Sequence, residues 1–261
     1  MAPATVVSSR GALPPAGVFG YSPRPVNDHP LRTILDEIER RRAERPVAIF
    51  DLDGTLYDNR SRTLRILHAF AASLEHEHAK DAAVIRALRV DSLLYRIEDT
   101  LSPRGVAEDV IARAQKAWFA RFFTDTACAD DVPVQGAVAF ARACHARGAT
   151  VVYLTGRDVP GMLVGTVRTL RDDGFPIGVP RVELVFKPTF EEPDTSFKVR
   201  MLDAMDELGT VIATFENEPG NCNMFHRRWP ASHAVLVTTQ HAPGAPPLEE
   251  RCVRVPHFDH P

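Results

Sequence analysis

The chain has four cysteines in 261 residues, Cys128, Cys144, Cys222 and Cys252, and no two of them form a Cys-x-x-Cys pair. That scatter argues against a zinc site or a dithiol redox pair and leaves reduced structural thiols. No apolar run approaches the roughly 20 residues of a membrane span. The first residues also lack the basic-then-apolar order of a secretion signal, so the expectation is a cytoplasmic protein with no membrane partner. Neither sign of charge is in excess: 31 Lys and Arg face 34 Asp and Glu, for a formal net charge of -3 and a pI near 6.4. Such a chain has no global attraction for nucleic acid or anionic membrane, and any phosphate binding must be local. Lysine is scarce as well. Of the 31 basic residues only Lys80, Lys116, Lys187 and Lys198 are lysines, leaving 27 arginines, so a lysine at a motif position is an informative choice.

What is present is a soluble globular composition, 44% hydrophobic and 25% charged, long enough for one or two domains with a large core. Residues 1 to about 30 are rich in Pro, Gly, Ala and Ser without periodicity, and read as a flexible or draped segment. From Leu31 to about Glu44, apolar Leu31, Ile34, Leu35 and Ile38 recur at helical spacing, with Arg40, Arg41 and Arg42 on a solvated face beside Glu39 and Glu44. Helical pattern resumes after Asp58 and lasts to about Thr126, and no glycine occurs between Gly54 and Gly105, which suits a small all-helical module. Core packing of that module is the expected use of Trp118, Phe119, Phe122 and Phe123, while Glu75-His76-Glu77-His78 reads as a solvated face with weak metal potential.

Beyond Val134, helix and strand alternate: helix 136–147, strand 150–154, helix 162–173, strand 182–186, helix 197–208, strands 210–215 and 234–237, with Val253 and Val255 as a late strand. That alternation predicts an α/β fold, a Rossmann-like doubly wound parallel sheet covered on both faces. In open sheets of this kind ligands sit at the carboxyl ends of the strands. Those ends carry Asp51 and Asp53, then Thr155-Gly156-Arg157, then Lys187, then Glu216-Asn217-Glu218, all suited to phosphate or metal chemistry.

The first of these ends is the most specific. Val47-Ala48-Ile49-Phe50 is an apolar strand that runs into Asp51-Leu52-Asp53-Gly54-Thr55, two carboxylates that would share a strand face and repel unless Gly54 lets the chain turn. At these residues the sequence resembles the haloacid dehalogenase-like hydrolase superfamily, whose first motif is Asp-x-Asp-Gly-Thr after a buried strand. The resemblance spans about 47–237 and is specific at four motifs. It implies a core of 31–58 and 132–261 with a helical cap of 59–131 inserted after the first motif. It implies Asp51 as the nucleophile that forms an aspartyl phosphate, and Asp53 as the acid and base. Thr155 and Gly156 match the second motif and would bind the phosphoryl group. Either Lys198 or Lys187 would be the motif lysine, with Lys198 favoured, and Arg157 either meets a substrate anion or caps the sheet edge. Mg²⁺ would be held by the Asp51 carboxylate, the Asp53 carbonyl and an acid of the fourth motif. There the sequence departs from the pattern: Glu216 replaces the usual aspartate, and Asn217, Glu218 or Asn221 could share its task.

The function implied is Mg²⁺-dependent hydrolysis of a small phosphate monoester. Alternatives are a phosphomutase or phosphonate hydrolase of the same fold, and a non-catalytic phospho-ligand sensor or scaffold. A nucleic-acid end-processing phosphatase is weakened by the missing basic balance.

Overall fold

The computed structural model describes residues 29–74 and 78–260. The N-terminal segment and Glu75, His76 and Glu77 of the acidic-histidine run lie outside the described residues.

Helix α1 (Pro30–Arg40) begins with proline in its first turn and turns Leu31, Ile34, Leu35 and Ile38 inward. It stops short of the predicted Glu44, where a 3₁₀ turn over Arg42–Glu44 leads to left-handed Arg45. Arg41 pairs with Glu37 and Glu44 rather than facing a partner. Strand β1 (Pro46–Phe50) follows, buried at every position. The remaining strands are β2 (Tyr57–Asp58), β3 (Val132–Pro133), β4 (Thr150–Asp158), β5 (Val182–Lys187), β6 (Thr210–Glu216), β7 (His233–Val237) and β8 (Val253–Val255).

Six of them form one parallel sheet in the order β5-β4-β1-β6-β7-β8. Strand β1 is central, and the chain lays β4 and β5 on one side of it before returning to build β6 to β8 on the other. The carboxyl end of β1 therefore lies at the switch point, where a doubly wound sheet opens a crevice.

Alternate strand residues face opposite layers, as the two-residue period demands. Ala48, Phe50, Val151 and Tyr153 pack with α1 and α6 (Ala137–Ala146) on one face, while Val47, Ile49, Val152 and Leu154 pack under α8 (Asp194–Leu208) and α9 (Pro219–Arg228) on the other. In β6 the successive residues Ile212 and Ala213 both join the first cluster, consistent with the register shift where β6 pairs with β1.

Strand β4 runs four residues beyond the predicted Leu154, because Asp158 pairs with Lys187 of β5 after an irregularity in the ladder. Thr155, Gly156 and Arg157 are therefore extended strand rather than the turn their composition suggests. Asp158 then caps α7 (Val159–Asp173), accepting from the Gly161 N–H at 2.8 Å.

Between β2 and β3 the described elements are helical, chiefly α2 (Arg60–Ala72), α3 (Ala79–Arg86), α4 (Ile97–Leu101) and α5 (Glu108–Phe122). They enclose a separate apolar cluster that includes Leu67, Phe70, Ile85, Leu101, Val110 and Ile111. This insertion leaves and rejoins the sheet through a two-strand antiparallel ribbon in which Tyr57 faces Pro133 and Asp58 faces Val132. Among the described residues no helix is long and apolar enough to cross a membrane.

Candidate active site

Asp51 follows directly on β1, and its backbone N–H still bonds to Phe215 O of β6, which fixes its position. The chain then bends over Leu52–Tyr57, with the Thr55 and Tyr57 N–H groups both donating to Leu52 O. Gly54 makes the bend possible twice over. Its φ of +80° is costly for any L side chain, and an added Cβ would stand 2.4 Å from Asn217 Nδ2. The bend separates the two carboxylates that a straight strand would have stacked.

Each carboxylate has its own cation. Lys198, in the second turn of α8, donates to Asp51 Oδ1 at 2.7 Å and also binds Glu216 Oε1. All three side chains are nearly inaccessible. Burial pushes the Asp51 carboxyl up to about 7, and neighbouring Glu216 adds to that push against the pull of the Lys198 ammonium. Asp53 instead faces Arg157, which grips it with two bonds, Nε to Oδ2 at 2.8 Å and Nη2 to Oδ1 at 2.7 Å. Arg62 of α2 adds a third at 3.3 Å and Asn59 a fourth at 3.2 Å. Burial works against the Asp53 charge, yet the two guanidinium groups prevail and hold it well below the usual carboxylate range.

The clamp has a second anion, Asp131, which sits just before β3. Arg62 Nε reaches Asp131 Oδ1 at 2.8 Å, Arg62 Nη2 reaches Oδ2, and Arg157 Nη2 reaches the same oxygen at 2.7 Å. Two arginines and two aspartates thus form a neutral network, inaccessible except at Asp53, that joins the helical insertion, the ribbon and the sheet. Arg157 lines the cavity with its guanidinium already paired to Asp53 and Asp131.

Lys187 takes no part. It lies at the end of β5, where its ammonium donates to Phe190 O at 3.1 Å and Glu192 O at 2.9 Å and pairs with Asp194 at 2.8 Å. It organises the segment leading to α8, and the structure brings only Lys198 to Asp51. Thr155 is fully buried, with its hydroxyl accepting from the Arg157 N–H at 3.2 Å, whereas Gly156 lines the open space beside it. An added Cβ at Gly156 would strike the Asp194 carboxylate at 2.3 Å.

The fourth segment differs from the acidic loop that Pro219 and Gly220 suggest: Pro219 opens α9, so Glu216 to Glu218 join a strand end to a helix start. Asn217 is committed elsewhere, accepting from Thr55 Oγ1 at 3.2 Å and donating to Gln240 O at 2.7 Å. It fastens the acidic turn, and its amide oxygen keeps one lone pair beyond the Thr55 bond.

The oxygen-only donor set suits a hard divalent cation. Asp51 Oδ2 has no hydrogen-bond partner among the described residues, which leaves it available as a ligand. Glu216 is more constrained: Oε1 serves Lys198 and the Asn221 amide at 2.9 Å, and Oε2 takes the Glu218 N–H at 2.9 Å. Among the described residues no three acidic, histidine or cysteine side chains converge on one point. The fit therefore rests on Asp51 and backbone carbonyls, with Glu216 joining if it releases a present partner.

A cavity of about 310 Å³ opens above these groups, lined by Asp51, Asp53, Lys198 and Glu216 below and by the insertion above. Trp118, Phe122 and Phe123 line it too, while Trp118 also packs against the insertion's apolar cluster as expected. The end of α5 runs past the insertion's apolar cluster toward the core, and Phe123 meets Phe190 edge-on at 5.0 Å.

Sequence reasoning missed Arg62 and Asp131. Arg62 did leave a signal: it stands in phase with Ile66 and Phe70 on the buried face of α2, where a charge needs a buried partner. Asp131 left none, lying in a polar stretch like any loop acid.

A family model described as haloacid dehalogenase-like hydrolase matches residues 46–216. No curated protein sequence gives a significant match. Among solved structures, the chain is similar to a protein from Burkholderia xenovorans LB400 assigned as a haloacid dehalogenase-like hydrolase, with 20% identity, a TM-score of 0.47, and 82% and 94% of the two chains covered. It is similar also to a HAD-superfamily hydrolase of subfamily IA from Geobacter sulfurreducens PCA (12%, 0.45, 82% and 92%) and to Protein Tyrosine Kinase A of Mycobacterium tuberculosis (15%, 0.45, 81% and 93%).

Proposed function

The chain belongs to the haloacid dehalogenase-like hydrolases, and from that membership we propose that it cleaves phosphate monoesters of small molecules through an aspartyl phosphate on Asp51. The observation that carries this reading is the Asp51–Lys198 contact at 2.7 Å on the floor of a cavity at the sheet's switch point. Lys198 neutralises the nucleophile before attack and the transferring oxygens afterwards. The Asp51 carboxylate attacks phosphorus in line while the ester oxygen leaves, and water then cleaves the acyl phosphate to regenerate the carboxylate and release inorganic phosphate.

Asp53 gives the leaving oxygen its proton and later takes one from the attacking water. Held between Arg157 and Arg62 it is ionised and has no proton to give, so protonation depends on a phosphoryl dianion arriving beside it and raising its proton affinity. A bound Mg²⁺, held by Asp51, the Asp53 carbonyl and Glu216, would spread the negative charge of the phosphoryl group. Residues 59–131 serve as a cap that excludes water and selects the substrate.

The test is phosphate release from aryl, sugar and nucleotide phosphates by wild type and Asp51→Asn, with Mg²⁺ or EDTA. Mg²⁺-dependent release that disappears in the variant is expected; substantial release by Asp51→Asn rules out the covalent route. The arginine clamp on Asp53 favours a second reading, a phospho-ligand sensor without turnover. Saturable phosphate-ester binding with no release across the panel would select it.

A further inference from the structure

The cavity walls divide sharply by chemistry. Every cation that lines the cavity already has an anion. Arg60 is held by Asp58 through two close contacts, Nη2 to Oδ2 at 2.6 Å and Nε to Oδ1 at 2.9 Å. Arg157 is committed to Asp53 and Asp131, and Lys198 to Asp51 and Glu216. The lining also holds Glu218, whose carboxylate accepts the Ala242 N–H at 3.0 and 3.2 Å and has no ion pair among the described residues. A second anionic group on a substrate would find no spare cation there and would meet a fixed carboxylate.

Above the acids, the insertion lines the cavity with Asn59, Arg60 and Thr63 and, beside them, with an apolar wall of Leu93, Leu94, Tyr95, Trp118, Phe122 and Phe123. Leu94 and Tyr95 are 54% and 51% exposed, so this apolar surface is not used up in packing. The Trp118 indole N–H is spent on Thr63 Oγ1 at 3.1 Å, which leaves its ring rather than a donor for the cavity. A sugar ring, whose hydroxyls need partners on all sides, would leave them unpaired against this wall.

We propose that the preferred substrate is a phosphate monoester with a single charged end and an uncharged aromatic or apolar organic group lying on the Leu93–Tyr95 segment and the end of α5. This rests on the phosphatase reading for the reacting end and on the wall for the other. Area burial and ring stacking favour such a group, and the paired cations disfavour nucleotides, bisphosphates and phosphorylated acids.

The experiment compares kcat/KM for 1-naphthyl phosphate, methyl phosphate, glucose 6-phosphate, fructose 1,6-bisphosphate and AMP. Calorimetric binding of 1-naphthylphosphonate, which cannot be hydrolysed, runs in parallel. Naphthyl phosphate should exceed each of the others by roughly 10-fold to 100-fold. Trp118→Ala should lower the naphthyl-to-methyl ratio by about tenfold. Leu94→Arg, at an exposed position where folding is little affected, should lower the naphthyl-to-bisphosphate ratio by about tenfold. Equal rates across the panel, or ratios unmoved by both variants, overturn the inference and leave the phosphatase reading intact. Phosphonate binding that Leu94→Arg weakens, without release from any ester, supports the inference and overturns the phosphatase reading. Neither binding nor release overturns both.

Discussion

Replacing Asp131 with asparagine tests the buried clamp directly. In the native structure its carboxylate is fully inaccessible and meets two guanidinium groups that are 0% and 1% exposed. With Asp53, the four charges cancel. Asparagine preserves the shape, removes one negative charge, and turns an amide with its own donors toward two donors. Arg62 would keep the Phe122 carbonyl at 3.1 Å, the longer contact with Asp53 at 3.3 Å and at most one neutral amide oxygen in place of the carboxylate. Breaking a buried ion pair from one side costs about 3–5 kcal/mol, a drop of roughly 10² to 4 × 10³-fold in the folding equilibrium at about 1.4 kcal/mol per decade. Urea unfolding at pH 7, followed by far-ultraviolet circular dichroism, should show the midpoint fall with an unchanged slope. Arg62→Met combined with Asp131→Asn should cost less than the two single changes together, by about 1–3 kcal/mol. A single-variant cost under about 1 kcal/mol, or strict additivity, would refute the argument, because it would mean that the cluster is hydrated or rearranges freely.

Lys198→Met should lower phosphate release by at least about 100-fold, since Asp51 and Glu216 would be left as adjacent buried carboxylates with no cation, whereas Lys187→Met should mainly lower stability and disturb the segment before α8; steady-state kinetics and a thermal melt separate the two. Gly54→Ala should cost at least about 1–2 kcal/mol from the positive φ alone, before the clash with Asn217 is counted, and a melt unchanged within a degree would contradict the geometry. The depressed Asp53 ionisation adds stability that is fully present above the ordinary carboxylate value of 3.8 and is lost as pH falls below it toward the folded-state value. The stability gap between wild type and Asp53→Asn should therefore be large at pH 7 and shrink below pH 4 in urea titrations; a gap independent of pH would mean that the arginines do not set that ionisation.

How much of this was legible in the sequence depends on how local the determinants are. The apolar run 47–50, the acids after it and the glycine that must follow are written within a few residues, and the parallel sheet follows from the alternation beyond Val134. Strand β4 was read too short because Thr155-Gly156-Arg157 has the composition of a turn; the partner that keeps it extended, Lys187 on β5, is thirty residues away. The two candidate lysines could not be separated by spacing, since both precede or open α8, and only the sheet order decides which reaches β1. Arg62 and Asp131 are sixty-nine positions apart, and their pairing exists only once the insertion has folded back on itself. The aromatic end of α5 both packs and lines the cavity, and helical periodicity shows only the first of these uses.

The ribbon of Tyr57–Asp58 against Val132–Pro133 bears on heredity as much as on architecture. Because the two strands and the Val134 N–H to Leu56 O bond at 2.9 Å bring the cut ends of the sheet domain together, the chain between them leaves and returns at one place. Lengthening such a loop is inexpensive, about 0.6 kcal/mol per doubling. Evolution or an engineer could therefore trade the whole helical segment for another as one cassette, provided the newcomer brings its own neutral answer to Arg157.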